Sequence, residues 1–137
     1  MTTKICFTLI ISILFTGHPL HAAVSASKLA TQKQTVEKFL KGKATFEKKT
    51  KMILSFKNWA DKEVLSGSDK MSEEELTQIM QFSNLLKALN PAKLTAKNCK
   101  SSADNVLEED ITPMSEKPSA PAQTILGWLK FLCSKGK

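Results

Sequence analysis

Beyond residue 27 the apolar positions recur at helical spacing, and no stretch alternates apolar and polar residues with β-branched enrichment. The pattern predicts an all-α fold. Residues 28–65 read as one long helix, with Val36, Phe39, Leu40, Phe46, Ile53 and Leu54 on one side and Lys38, Lys41, Lys48 and Lys49 opposite. Gly42 marks a bend or a break in it. Past residue 51 a second apolar stripe, Met52, Phe56 and Trp59, appears on what was the polar side. A helix apolar on two faces packs between neighbours, so this half is expected deeper in the bundle, and Trp59 is expected as a core aromatic.

Residues 66–69 (Ser-Gly-Ser-Asp) read as a turn. A second helix starts at Ser72, whose side chain is placed for an N-cap, with Glu75 completing a capping box and Met71 and Leu76 forming a hydrophobic staple. Glu73, Glu74 and Glu75 fill its first turn, where the helix dipole favours anions. The helix runs through Ile79, Phe82, Leu85, Leu86 and Leu89, apolar over more than half its circumference, and ends at Asn90-Pro91. Pro91 suits a short helical turn toward Cys99. Residues 102–110 suit another, with Ser102 as its cap and Val106, Leu107 and Ile111 as contacts. Residues 112–121 carry three prolines and read as a loop. Pro121 then opens a last helix with Ile125, Leu126, Trp128, Leu129, Phe131 and Leu132, where Lys130 is the one charge between residues 122 and 133. The expectation is a small helical bundle of three main helices plus short helical segments, one domain over residues 27–137.

The first 22 residues have a different character. Lys4, the uncharged run from Ile5 to Phe15, the breakers Gly17 and Pro19, and the small residues Ala22, Ala23, Ser25 and Ala26 form a signal-peptide pattern cleaved somewhere in 22–26. An apolar run of this length falls short of the roughly 20 residues that span a bilayer. An uncleaved anchor is the alternative. The expectation is therefore a secreted or periplasmic protein. Export would remove Cys6, His18 and His21, leaving no histidine and two cysteines. In an oxidising compartment Cys99 and Cys133 are expected to form a disulfide, closing about 35 residues and contributing roughly 3–4 kcal/mol. An intermolecular bridge and two reduced thiols are the alternatives.

Composition narrows the chemistry. All twenty basic residues are Lys, and Arg and Tyr are absent. Without histidine in the mature chain, Ser-His-Asp and Cys-His nucleophile pairs and His-containing zinc sites cannot be built. Without Arg there is no bidentate clamp for carboxylate or phosphate. The glycines are scattered singly, so no phosphate-binding loop is present. No catalytic residue, metal site or cofactor is assigned. The acidic runs Glu73-Glu74-Glu75 and Glu108-Glu109-Asp110 place neighbouring carboxylates around a helix rather than on one face. An enzyme working through carboxylates or lysines would need some acid in a cleft with a raised pKa.

Charge is uneven. Residues 28–62 carry +7, residues 63–117 carry −4 and residues 118–137 carry +3. One reading is mutually complementary solvated faces. Another is a non-catalytic binding protein that docks a second protein or an anionic envelope polymer through Lys38, Lys41, Lys48 and Lys49. The lack of Arg and Tyr argues against specific nucleic-acid recognition; lysine alone supports diffuse, salt-sensitive phosphate binding. A third reading is a membrane-active protein that inserts Trp128, Leu129, Phe131 and Leu132 beside basic residues. Against it, this helix lacks the broad basic face of interfacial helices, and burial of the whole helix fits its pattern better.

Overall fold

The computed structural model describes residues 27–67, 70–110 and 117–134. The signal-peptide expectation, Ser68 and Asp69 of the expected turn, the Ile111 contact and the first half of the Pro-rich loop (112–116) lie outside them. Five α-helices follow one another: α1 (Lys28–Lys41), α2 (Phe46–Ser66), α3 (Glu73–Leu89), α4 (Ser102–Glu109) and α5 (Ala120–Cys133), with a 3₁₀ turn at Pro91–Lys93. No strand occurs among the described residues. The expected all-α bundle is present, but the long first helix is divided in two. Gly42 leaves helical geometry (ψ −179°), and the Thr45 side chain accepts from Lys48 N to start α2. Both halves remain amphipathic, so the apolar pattern continues across the break.

Local signals account for most of the ends. Ser72 accepts from Glu75 N at 3.1 Å, and Ser119 accepts from Ala122 N at 3.3 Å. Helix α2 stops at Gly67, which adopts the left-handed conformation (φ +53°) that a residue without a Cβ enters at no steric cost. Helix α3 stops at Asn90, also left-handed, with Pro91 following. Ser102 is not the cap of α4: that position belongs to Ser101, and Ser102 is buried, donating its hydroxyl to Asn98 O. Leu107, expected as a contact, is 45% exposed.

The core lies where α2, α3 and α5 meet. Phe56 touches Phe82 and Trp128 edge-on at 5.4 and 5.0 Å between ring centres, and Phe82 and Trp128 stack at 6.0 Å. Ile53, Ala60, Ile79, Leu86 and Ile125 fill the space around them. Met52 and Trp59 pack half-buried against this cluster, so the second stripe of α2 belongs to the core. A charged tie crosses α2 and α3 at the rim: Asp61 accepts from Lys57 Nζ at 2.6 Å and from the Ser83 hydroxyl. Asp110 joins α4 to α5 by accepting from both the backbone N and the hydroxyl of Ser119, at 2.8 and 2.6 Å.

Cys99 and Cys133 form a disulfide between the loop after α3 and the last residue of α5, with 5.7 Å between Cα atoms. This is the intramolecular bridge expected for the two cysteines.

Candidate functional site

The loop from Leu94 to Ser101 has no regular structure but is closely held. Asn98 organises it. Its Oδ1 accepts from Thr95 N at 2.7 Å, its Nδ2 donates to Lys93 O at 3.0 Å, and its backbone N donates to the Thr95 hydroxyl at 3.2 Å. The Ser101 and Ser102 hydroxyls donate to Asn98 O. These bonds, with the neighbouring disulfide, fix a stretch of backbone that carries Lys97 and Lys100 on its exposed side.

Between this loop, the start of α2 and the outer side of α5 runs a cleft of about 990 Å³. Leu129 and Leu132, both nearly fully buried, lie at its base with the Cys99–Cys133 bridge. Phe46, Ala103, Leu126 and Phe131 form half-buried walls. Four lysines stand around it: Lys49 from α2, Lys97 and Lys100 from the loop, and Lys130 from α5. Among the described residues no Asp or Glu lines it. None of these four ammonium groups is ion-paired within the described residues, whose salt bridges are Lys41–Glu37, Lys51–Glu47 and Lys57–Asp61. The arrangement offers an apolar trough under a field of one sign. It offers neither a nucleophile–base pair nor a set of metal ligands: among the described residues no three His, Cys, Asp or Glu side chains come together to hold an ion.

The break at Gly42 divides the lysines read from the sequence between two helices, Lys38 and Lys41 on α1 and Lys48 and Lys49 on α2. Lys38 and Lys48 are exposed away from the cleft lining. Lys41 is bound to Glu37 at 2.7 Å and lies over the Phe131 ring, 5.4 Å from its centre. Lys49 alone of the four reaches the cleft. Lys97, Lys100 and Lys130 were not singled out by sequence reasoning. The signal was available: residues 76–103 contain four lysines and no acid, a basic window hidden inside a segment of negative total charge.

The proposed membrane insert requires correction. Trp128, Leu129 and Leu132 are 2%, 4% and 5% exposed. They are consumed by the core and the cleft base because α5 packs against α1, α2, α3 and α4. Phe131 is half-buried under Lys41. The folded chain thus does not present these four residues as an inserting face, and no helix among the described residues is long and apolar enough to cross a membrane.

Two carboxylates have displaced pKa values. Burial acts to raise that of Asp61, but hydrogen bonds from Lys57 and Ser83, with the charges of Lys57 and Lys87, outweigh it and hold the group below the usual carboxylate range. The hydrogen bond and charge of Lys51 lower Glu47. Both shifts favour the ionised form, opposite to what a general acid needs. Comparison with known proteins finds no matching family, no matching curated protein and no matching solved structure.

Proposed function

We propose that this chain is a small exported helical binding protein, without catalysis of its own, that takes an anionic ligand with an apolar body in the lysine-rimmed cleft. The observation that carries this reading is the combination at one place of an apolar base and four lysines that, among the described residues, have no ion pair and no acid beside them in the lining. The apolar floor supplies affinity at about 25 cal/mol per Å² buried. The lysines select the sign of the ligand and speed its arrival, an effect that salt weakens. Lysine is a point charge without the planar fork of Arg, so it accepts carboxylate, sulfate or phosphate heads with little demand on their geometry.

The volume is on the scale of small-ligand sites, roughly 300–1,000 Å³. A protein or anionic polymer would need a wider contact, about 800 Å² on each side for a protein. The face beside the cleft that would extend such a contact is mixed in sign through Glu37–Lys41 and Glu47–Lys51. The ligand class favoured is therefore a single-chain anionic amphiphile.

The test is calorimetric titration of the oxidised protein, purified from an exporting host, with dodecanoate and with dodecyltrimethylammonium, each below its micelle concentration. The anion is expected to bind with a Kd on the order of 10–100 µM, the range set by partial burial of one alkyl chain, and the cation to bind at least tenfold more weakly. Lys97→Glu combined with Lys130→Glu should weaken the anion at least tenfold. Lys38→Glu combined with Lys48→Glu should leave it unchanged. Equal binding of both amphiphiles, or of neither, overturns the reading.

A further inference from the structure

A second hollow, of about 560 Å³, lies beside the first, and the two share Phe46 and Ala96 in their linings. Residues common to both linings form the wall between them. On the loop side that wall is a methyl group, on a residue that is itself exposed. On the helix side it is the Phe46 ring, half-buried at the first position of α2 and packed against the core. The second hollow differs in charge from the first. Its one lysine, Lys51, is bound to Glu47 at 2.8 Å, and the rest of its lining includes Leu54, Pro91, Leu94 and Thr95. It has no lysine left to hold an anionic head, yet it has apolar surface for the end of a chain.

We infer that Phe46 is the specificity-determining residue for ligand length: its ring closes the lysine-rimmed cleft against the second hollow, whose one lysine is ion-paired, and stops the apolar tail of a ligand whose head is held by the lysines. This rests on the binding function proposed above and adds a measure of size to it. A linear alkyl anion gains about fourfold in affinity for each further methylene it buries. The gain ends at the length where the tail meets the Phe46 ring, since further methylenes stay in water. Removing the ring joins the two hollows and lets the gain continue.

The experiment is a titration series of unbranched alkyl carboxylates from eight to sixteen carbons, each kept monomeric, against the oxidised wild-type protein and Phe46→Ala. The wild-type plot of log Kd against chain length is expected to bend to a plateau. In Phe46→Ala the bend moves at least two carbons longer. Phe46→Leu removes less of the wall and should move the bend by a smaller step; it carries the same reading should the alanine variant fail to fold. If wild type binds none of the series, the binding function itself falls and the inference with it. If wild type binds with a bend but the variants follow the same curve, or lose affinity equally at all lengths, the assignment of Phe46 alone is overturned.

Discussion

Asp61 receives a proton donor from each of two helices: Lys57 one turn earlier on α2, and Ser83 on α3. The Lys57–Asp61 spacing of four residues is visible in the sequence; Ser83 is 22 positions away and becomes a partner only through the packing of α2 on α3. The Asp61 side chain is 35% exposed, so the ion pair contributes at most about 1 kcal/mol. Its direction with pH follows from the lowered pKa. The unfolded carboxyl titrates near pH 3.9, and the folded one below that. Around and below pH 4 the unfolded state therefore holds more protons, so this stabilisation is present above that value and lost as pH falls through the folded pKa. Asp61→Asn should lower the urea midpoint by a constant amount from pH 7 to 5, and the gap should close below about pH 4. A gap that persists unchanged at pH 2.5 would show that shape, not charge, joins Asp61 to its neighbours.

At the scale of elements, the helix starts and stops were the most legible feature and their partners the least. Ser72 caps α3 as its position foretells. The reciprocal half of the capping box is absent, because Glu75 Oε1 accepts from Leu29 N of α1 at 2.9 Å. The reason lies in α1, whose first turn has no acid of its own and whose first backbone donors have no partner within the helix; a carboxylate from another helix supplies both hydrogen bond and charge. A partner 46 residues away leaves no local trace. Gly42 and Thr45 illustrate the reverse case. Both signals of a break stood in the sequence, and the continuous apolar side of residues 28–65 masked them, because two consecutive helices on one core keep facing it. Glu75→Ala should cost about 1 kcal/mol, while Glu75→Gln, which keeps an acceptor, should lose only about 0.3–1 kcal/mol of dipole interaction. Amide exchange locates the effect: Glu75→Ala should expose Leu29 N–H in α1. Loss of protection confined to the first turn of α3 would return Glu75 to a role within its own helix.

On the scale of the whole molecule, segment charges proved a coarse guide to the site. The four cleft lysines come from α2, the loop and α5, so no single stretch announces them. Two stand in the net-negative third of the chain, whose acids gather in the first turn of α3 and in residues 104–110, leaving the loop between them purely basic. What the sequence did disclose, the Cys99–Cys133 bridge, connects stability to the site, since both sulfur-bearing residues line the cleft and tie the loop to the end of α5. The sequence separation of 34 makes the bridge worth about 3–4 kcal/mol, or roughly 10–20 °C in Tm for a domain of this size. Cys99→Ser combined with Cys133→Ser should therefore melt that much lower in calorimetry. The same variant at 20 °C separates two consequences. The ring contacts among Phe56, Phe82 and Trp128 do not involve the bridge, although Cys99 is buried in the same core, so far-ultraviolet circular dichroism should stay helical. Without the bridge the loop bearing Lys97 and Lys100 keeps its internal Asn98 hydrogen bonds but loses its covalent tie to α5, and dodecanoate affinity should fall at least fivefold. A variant that melts lower but binds dodecanoate as wild type does would show that Asn98 suffices to shape the loop, and that the bridge serves stability without shaping the cleft.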